Sequence, residues 1–193
     1  MCSRANLLGA VLCGGRSTRM GRDKATLKDR NGIEFLSLAV ERLRRVCRDV
    51  CVSATHDRET VERLVADPAE SYGPISGLAA VLTVAAEEGF DGCFINPVDT
   101  PNLKPEDLDA LVALHHEFPT EPACAVTKED HDTRRVQPLI AIYPVCVLPF
   151  IDASIQSSQY SLRRYLESSR FSTVELSPRA CHNINSPSDF ESQ

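Results

Sequence analysis

Apolar residues along this chain follow two rhythms. Short unbroken runs, suited to strands buried on both faces, occur at LLGAVLC (7–13), DVCVSA (49–54), DGCFIN (91–96), ACAVT (123–127), PLIAIY (138–143) and FSTVEL (171–176). Between several of these runs the apolar positions repeat every three to four residues. Leu36, Ala39, Val40, Leu43 and Val46 trace one helical face, and Leu78, Val81, Leu82 and Ala85 trace a second. Leu108, Leu111 and Val112 begin a third, with Pro105 near its first turn. Strands that alternate with helices predict an α/β fold: a three-layer α/β/α Rossmann-like sandwich around a mostly parallel sheet with right-handed crossovers. Such sheets bind ligands outside the carboxyl ends of their strands, where strand order reverses, so segments that directly follow strands become the candidate sites.

The 193 residues, 42% hydrophobic and 25% charged, suit one well-buried globular domain. No repeat, low-complexity tract or long linker divides them, and the expected organisation is a single domain over 1–193. Asp and Glu number 27 against 21 Lys and Arg, for a net charge of −6. That balance argues against broad adhesion to nucleic acid or to an anionic membrane, so any anion must be captured locally. No apolar stretch reaches the ~18 to 20 residues of a bilayer span, and MCSRANLLGAVLCGG reads as a first core strand rather than a leader. A cytoplasmic protein with no nucleic-acid or membrane partner is the expectation. The eight cysteines are dispersed without a C-x-x-C pair, as reduced and mostly buried thiols would be. His115 and His116 are adjacent, which on a helix turns them about 100° apart and gives no metal spacing.

Directly after the first strand, LCGGRSTRMGRDK (12–24) places Arg16, Arg19, Arg22 and Lys24 among three glycines, opposed only by Asp23. Gly14 and Gly15 are consecutive, so G-x-G-x-x-G is absent. Lys24 is followed by Ala25, so the G-x-x-x-x-G-K-S/T loop is absent too. What remains is a backbone that can approach an anion closely and cations that can donate to it, as a triphosphate requires. The same residues also read as a solvated basic turn.

This segment resembles the signature L-A-G-G-x-S/A-x-R-M-G-x-D-K of the MobA-like nucleotidyltransferases, with Cys13 in the place of an alanine. Four further blocks recur in the family's order. Asp67 precedes GPISGL (73–78), similar to G-P-L/I-x-G-L/M; alone, Gly73-Pro74 is a turn into a helix. PVDTP (97–101) resembles C-D-x-P and follows the third long strand; alone, its Asp or Thr could simply bond to its own turn. QPLIAIY (137–143) resembles Q-P-L-x-A-L-Y. NINSPSD (183–189) resembles N-V/I-N-T-P-E/D-D/E, and locally Ser186 can cap a short terminal helix beginning at Pro187.

The resemblance implies a sheet of the nucleotide-diphospho-sugar transferase type, with a nucleotide-binding part over about 1–100 and an acceptor-binding part over about 101–193. It implies transfer of GMP from GTP to the terminal phosphate of molybdopterin or Mo-molybdopterin, with loss of pyrophosphate, and transient contact with molybdenum cofactor insertion proteins. Leu12, Cys13, Gly14 and Gly15 would hold the nucleotide through their backbone, with Arg19 and Lys24 on its phosphates. Asp99 would carry Mg²⁺ through one oxygen while phosphates and water complete the shell. Asp67 and Gly73 would lie near the nucleoside. Gln137, Pro138, Asn183 and Asn185 would face the acceptor. Ser53 stands where the family commonly has an asparagine near the base, and a hydroxyl lacks the paired donor and acceptor of an amide. CTP as donor, another phosphorylated acceptor, or a non-catalytic nucleotide-binding regulator therefore stand as alternatives.

Overall fold

A computed structural model describes residues 4–13, 24–55, 60, 62–68, 70–128 and 133–184. Seven strands form one sheet in the order β3-β2-β1-β4-β6-β5-β7. They are β1 (Ala5–Leu12), β2 (Cys47–Ala54), β3 (Leu64–Ala66), β4 (Gly92–Pro97), β5 (Ala123–Lys128), β6 (Arg134–Pro144) and β7 (Ser172–Glu175). All neighbours run parallel except at β6, which is antiparallel to both β4 and β5. The predicted α/β sandwich and its mostly parallel sheet are thus present, with six of the seven strands lying where the apolar runs put them.

Helices cover both faces, as the alternating pattern requires. On one side, α1 (Phe35–Val46) and α3 (Pro105–Glu117) bury Phe35, Val40, Leu43, Leu108 and Leu111 against Leu7, Val11 and Phe94 of the sheet. On the other, α2 (Pro74–Glu87), α4 (Leu148–Gln156) and α5 (Leu162–Glu167) bury Ile75, Leu78, Leu82, Ile151 and Leu166 against Leu8, Cys93 and Tyr143. Helix α3 starts at Pro105, whose missing N–H costs nothing at a helix start, and the Asp107 carboxylate accepts from the Lys104 N–H at 2.8 Å. Of the seven described cysteines, all unbridged, five are buried, and burial pushes the thiols of Cys51 and Cys124 up to about 12. The terminal helix expected from Ser186 lies outside the described residues. No helix among those described is long and apolar enough to cross a membrane.

The chain passes from β1 outward through β2 to β3, then returns to the other side of β1 for β4. The reversal of strand order therefore lies between β1 and β4, and ligand sites of such sheets open there.

His115 is buried in α3, and its Nδ1 has no hydrogen-bond partner. Burial, with His116 adding to it, holds its pKa below the ordinary histidine range. The unfolded chain therefore binds this proton more tightly, and the native state loses stability as pH falls from neutral through the ordinary range toward the lowered value. His115→Leu is expected to flatten that acid limb. Melting temperatures at pH 7.5 and pH 5.5 check it, and parallel pH profiles for parent and variant would count against the assignment.

Candidate active site at the strand ends

The ends of β1, β2, β3 and β4 converge on one edge of the sheet. Val98 donates its N–H to Leu12 O at 3.2 Å, Cys13 donates to Ser53 O at 2.9 Å, and Asp67 donates to Ala54 O at 2.8 Å. These bonds stitch the residues that follow the four strands into a continuous floor. Leu12, Cys13, Ser53, Asp67 and Asp99, drawn from separate motifs, are thereby brought to one edge.

Beyond β4, the turn carrying Asp99 is held from two sides. Thr100 Oγ1 shares its proton between Pro97 O at 3.0 Å and Asn96 Oδ1 at 3.1 Å, both in a buried setting. From α1, the Arg42 guanidinium donates to Thr100 O at 3.1 Å and to Pro101 O, and burial lowers its pKa. The local turn bonding that PVDTP could supply is therefore Thr100's work. Asp99 is left to reach across the sheet: its Oδ2 accepts from Lys24 Nζ at 2.7 Å. The two side chains are only 20% and 14% exposed, so their attraction is far less screened than that of a surface pair. Lys24 sits in a 3-10 turn (Lys24–Thr26) that leads into α1.

Ser53 is 2% exposed, and in place of a hydroxyl open to a base edge it donates its proton to Asp67 Oδ1 at 2.9 Å. Its effect on a ligand passes through Asp67, which it orients. The bond has room because α2 crosses here at Gly77, where an added Cβ would stand 2.8 Å from Ser53 Oγ and 3.2 Å from Asp67 Oδ1. Gly73 caps α2 with φ 88, a conformation that favours glycine, and Pro74 follows at the first helical position.

On the far side, β6 departs from simple pairing. Cys124 pairs with Ala141 and the next β5 residue, Ala125, pairs with Gln137, so Pro138, Leu139 and Ile140 form an irregularity in the ladder. Pro138 has no N–H to give a neighbouring strand, and Tyr143 Oη closes the irregularity by donating to Pro138 O at 2.9 Å. Gln137 donates from Nε2 to Thr127 Oγ1 at 3.2 Å. Asn183 is exposed beside Ile184, whose N–H donates to Asp99 O at 2.9 Å and ties the C-terminal segment to the Asp99 turn. Gly14, Gly15, Arg19 and Asn185 lie outside the described residues.

Three contributors have no signature in the sequence. Arg42 is one of three arginines on α1 and nothing in its spacing marks it. Asn96 ends an apolar run and reads as its boundary. Tyr72 stacks on Tyr160 with ring centroids 4.2 Å apart and planes within 4°, linking the segment before α2 to the α4–α5 loop.

For a divalent cation the donor set is lean, because among the described residues no three His, Cys, Asp or Glu side chains converge. A single carboxylate fits Mg²⁺, which is commonly held by one or two carboxylates with substrate phosphates and water. It does not suit a cation that needs an all-protein cage.

Residues 9–174 match the model of the MobA-like NTP transferase domain. A protein of Rhodopirellula baltica named "Probable molybdenum cofactor guanylyltransferase" is 38% identical over 192 residues, covering 95% of this chain and 90% of that protein. Among solved structures, "Molybdopterin-guanine dinucleotide biosynthesis protein A" from Archaeoglobus fulgidus superposes with a TM-score of 0.70 at 20% identity, covering 96% of each chain. The 2-C-methyl-D-erythritol 4-phosphate cytidylyltransferase of Thermus thermophilus gives 0.74 at 14% identity, covering 98% of this chain and 96% of that one. At these identities the two structural likenesses speak for the fold.

Proposed function

The chain belongs to the MobA-like NTP transferase family, and from that membership we propose that it is a molybdenum cofactor guanylyltransferase. It moves GMP from GTP to the terminal phosphate of molybdopterin, or of its molybdenum-loaded form. A phosphate oxygen of the acceptor forms a bond to the α-phosphorus, the bond from that phosphorus to the bridging oxygen of the β-phosphate breaks, and pyrophosphate leaves with the electron pair. The attacking group is already an anion, so no side chain has to remove a proton from it. What the protein must supply is alignment of two repelling anions and neutralisation of charge at the α-phosphate and the leaving group.

The observation that carries this reading is the Lys24–Asp99 pair at the reversal of strand order. Two signature residues 75 positions apart in sequence meet in a partly buried setting, and each has a task once substrates arrive. The Lys24 ammonium turns to the triphosphate, and the carboxylate of Asp99 holds Mg²⁺. The metal, when bound, screens and orients the phosphates. Asp67, oriented by Ser53, offers only acceptors, which suit the N1–H and 2-amino donors of guanine and oppose the O2 and N3 acceptors of cytosine. That favours GTP over CTP. Backbone groups of Leu12 and Cys13, with Gly14, Gly15 and Arg19, complete the nucleotide side. Gln137, Asn183 and Asn185 face the acceptor.

Incubation with each NTP, Mg²⁺ and molybdopterin, followed by measurement of pyrophosphate, tests the reading. Release with GTP is expected. Release with CTP alone would replace it with cytidylyl transfer, and release with no NTP would remove nucleotidyl transfer to this acceptor.

Gly77→Ala offers a sharper check of Asp67. The new methyl would force Ser53 and Asp67 apart, and the KM for GTP is expected to rise about tenfold, as for loss of a charge-assisted hydrogen bond. The KM for the acceptor is expected to stay put. An unchanged GTP KM would take Asp67 off the base.

A further inference from the structure

A recess of about 410 Å³ opens between one stripe of α1 and the loop that runs from the Asp99 turn to α3. Leu38 and Leu103 give it an apolar wall, and its charged lining is Arg42, Arg45, Lys104 and a single carboxylate, Glu41. In a chain with a net charge of −6, three cations against one carboxylate are a local excess. Arg42 is the unusual member. Its guanidinium is half-buried and donates to two neutral carbonyls, Thr100 O and Pro101 O. The two carboxylates whose charge reaches it are engaged elsewhere: Asp29 accepts from the N–H groups of Asn31 and Ile33, and Asp107 from that of Lys104. Glu41 stands one turn before Arg45, a spacing at which opposite charges ordinarily pair, yet no bond joins them. Arg42, Arg45 and Lys104 make no ion pair among the described residues. A cation drawn out of water without a counter-charge is costly, and here it lines a space that an anion can enter.

The chemistry of the lining selects the anion. A guanidinium has N–H donors to spare beyond the two that these carbonyls use, and they lie in one plane as a fork. A phosphate group is compact, doubly charged near neutral pH and rich in acceptor oxygens, so it can take that fork and two further cations together. We propose that this recess is a binding site for a phosphate group, separate from the strand-end floor, with Arg42, Arg45 and Lys104 donating to its oxygens. Glu41 opposes the ligand and keeps the site from closing on its own cations. The apolar wall leaves room for an organic carrier of the phosphate beside the free ion. Nothing in the site depends on which nucleotide is transferred. It is nonetheless joined to the candidate active site by one side chain, because the guanidinium that meets the phosphate also holds the two carbonyls that follow Asp99.

Titration of the full chain with inorganic phosphate and with phenyl phosphate, followed by phosphorus NMR, tests the proposal. Sodium chloride holds the ionic strength constant, so that general screening does not pass for binding. Saturable binding is expected in the parent and also in Lys24→Ala, which removes the lysine of the strand-end floor. Arg45 and Lys104 are exposed, so the double variant Arg45→Gln/Lys104→Gln should keep its melting temperature while the Kd for phosphate rises about tenfold, as for loss of charge-assisted donors. Glu41→Gln should move the other way and tighten binding about threefold, because it removes the opposing charge. A tighter fit of phenyl phosphate would support the site with an organic carrier as its ligand, and a tighter fit of inorganic phosphate would support it with the free ion. Three results would overturn the proposal: no saturable binding, equal binding in parent and double variant, or binding lost in Lys24→Ala, which would put the anion on the strand-end floor. No turnover enters these measurements, so their outcome stands apart from that of the pyrophosphate assay.

Discussion

Asp99→Ala is expected to lower the rate of GMP transfer by a factor on the order of 10³, the scale seen when a group that stabilises transition-state charge is removed. The protein should remain folded. Thr100 and Arg42 hold the turn without help from the Asp99 side chain, and Ile184 bonds to the Asp99 backbone carbonyl, which the substitution keeps. Asp99→Asn retains shape and removes charge, so it should fail as badly as the alanine variant if the carboxylate is what matters. With EDTA present, GTP affinity should be the same in parent and variants. With Mg²⁺ added, only the parent should gain affinity. Lys24→Ala is expected to slow transfer as well. Because the two groups are each other's partners in the 2.7 Å contact, the double variant should be little worse than the poorer single one. Parent-like turnover by Asp99→Asn would take the carboxylate out of the mechanism. Additive losses in the double variant would show that the pair does not act as a unit.

How much of this site could be read from the sequence depends on where each interaction is encoded. Lys24 and Asp99 were legible because each sits in a short motif directly after a strand, where an α/β sheet presents its ligands. Their contact with each other was not, since no local pattern records which two strand ends become neighbours. Strand β3 escaped because Leu64–Ala66 is too short to show a period and lies between Arg63 and Asp67. The polar start of β6 escaped because Arg134 and Arg135 are exposed and Gln137 is half-buried, so this stretch pairs with β5 without an apolar run. Ser53, expected near the base, bonds to Asp67 through its hydroxyl. Its position in β2 is legible, whereas the room for its bond to Asp67 comes from a glycine 24 residues away.

Gly92 carries the largest expected effect on folding, and nothing in the run DGCFIN marks it. An added Cβ at Gly92 would stand 2.9 Å from Pro144 Cα and closer still to the Tyr143 carbonyl oxygen. Both obstacles are backbone, and that backbone belongs to β6, whose pairing with β4 begins at Gly92 and Pro144. A flexible side chain could swing aside, but a paired strand can yield only by parting from its neighbour. Gly92→Ala is expected to cost about 3 kcal/mol, the upper range for overpacking, and Gly92→Val more, a large share of the ~5 to 15 kcal/mol that holds a typical domain together. The consequence reaches function, because β6 carries Gln137 on the acceptor side. Any variant protein that still folds should therefore bind GTP nearly normally while its acceptor KM rises. Gly89→Ala is the control: Gly89 has φ 71 with nothing near its missing Cβ, so only backbone strain of about 1 kcal/mol should appear. Urea denaturation of the two alanine variants decides the matter, and a loss at Gly92 no greater than at Gly89 would mean that the β4–β6 contact is looser than described.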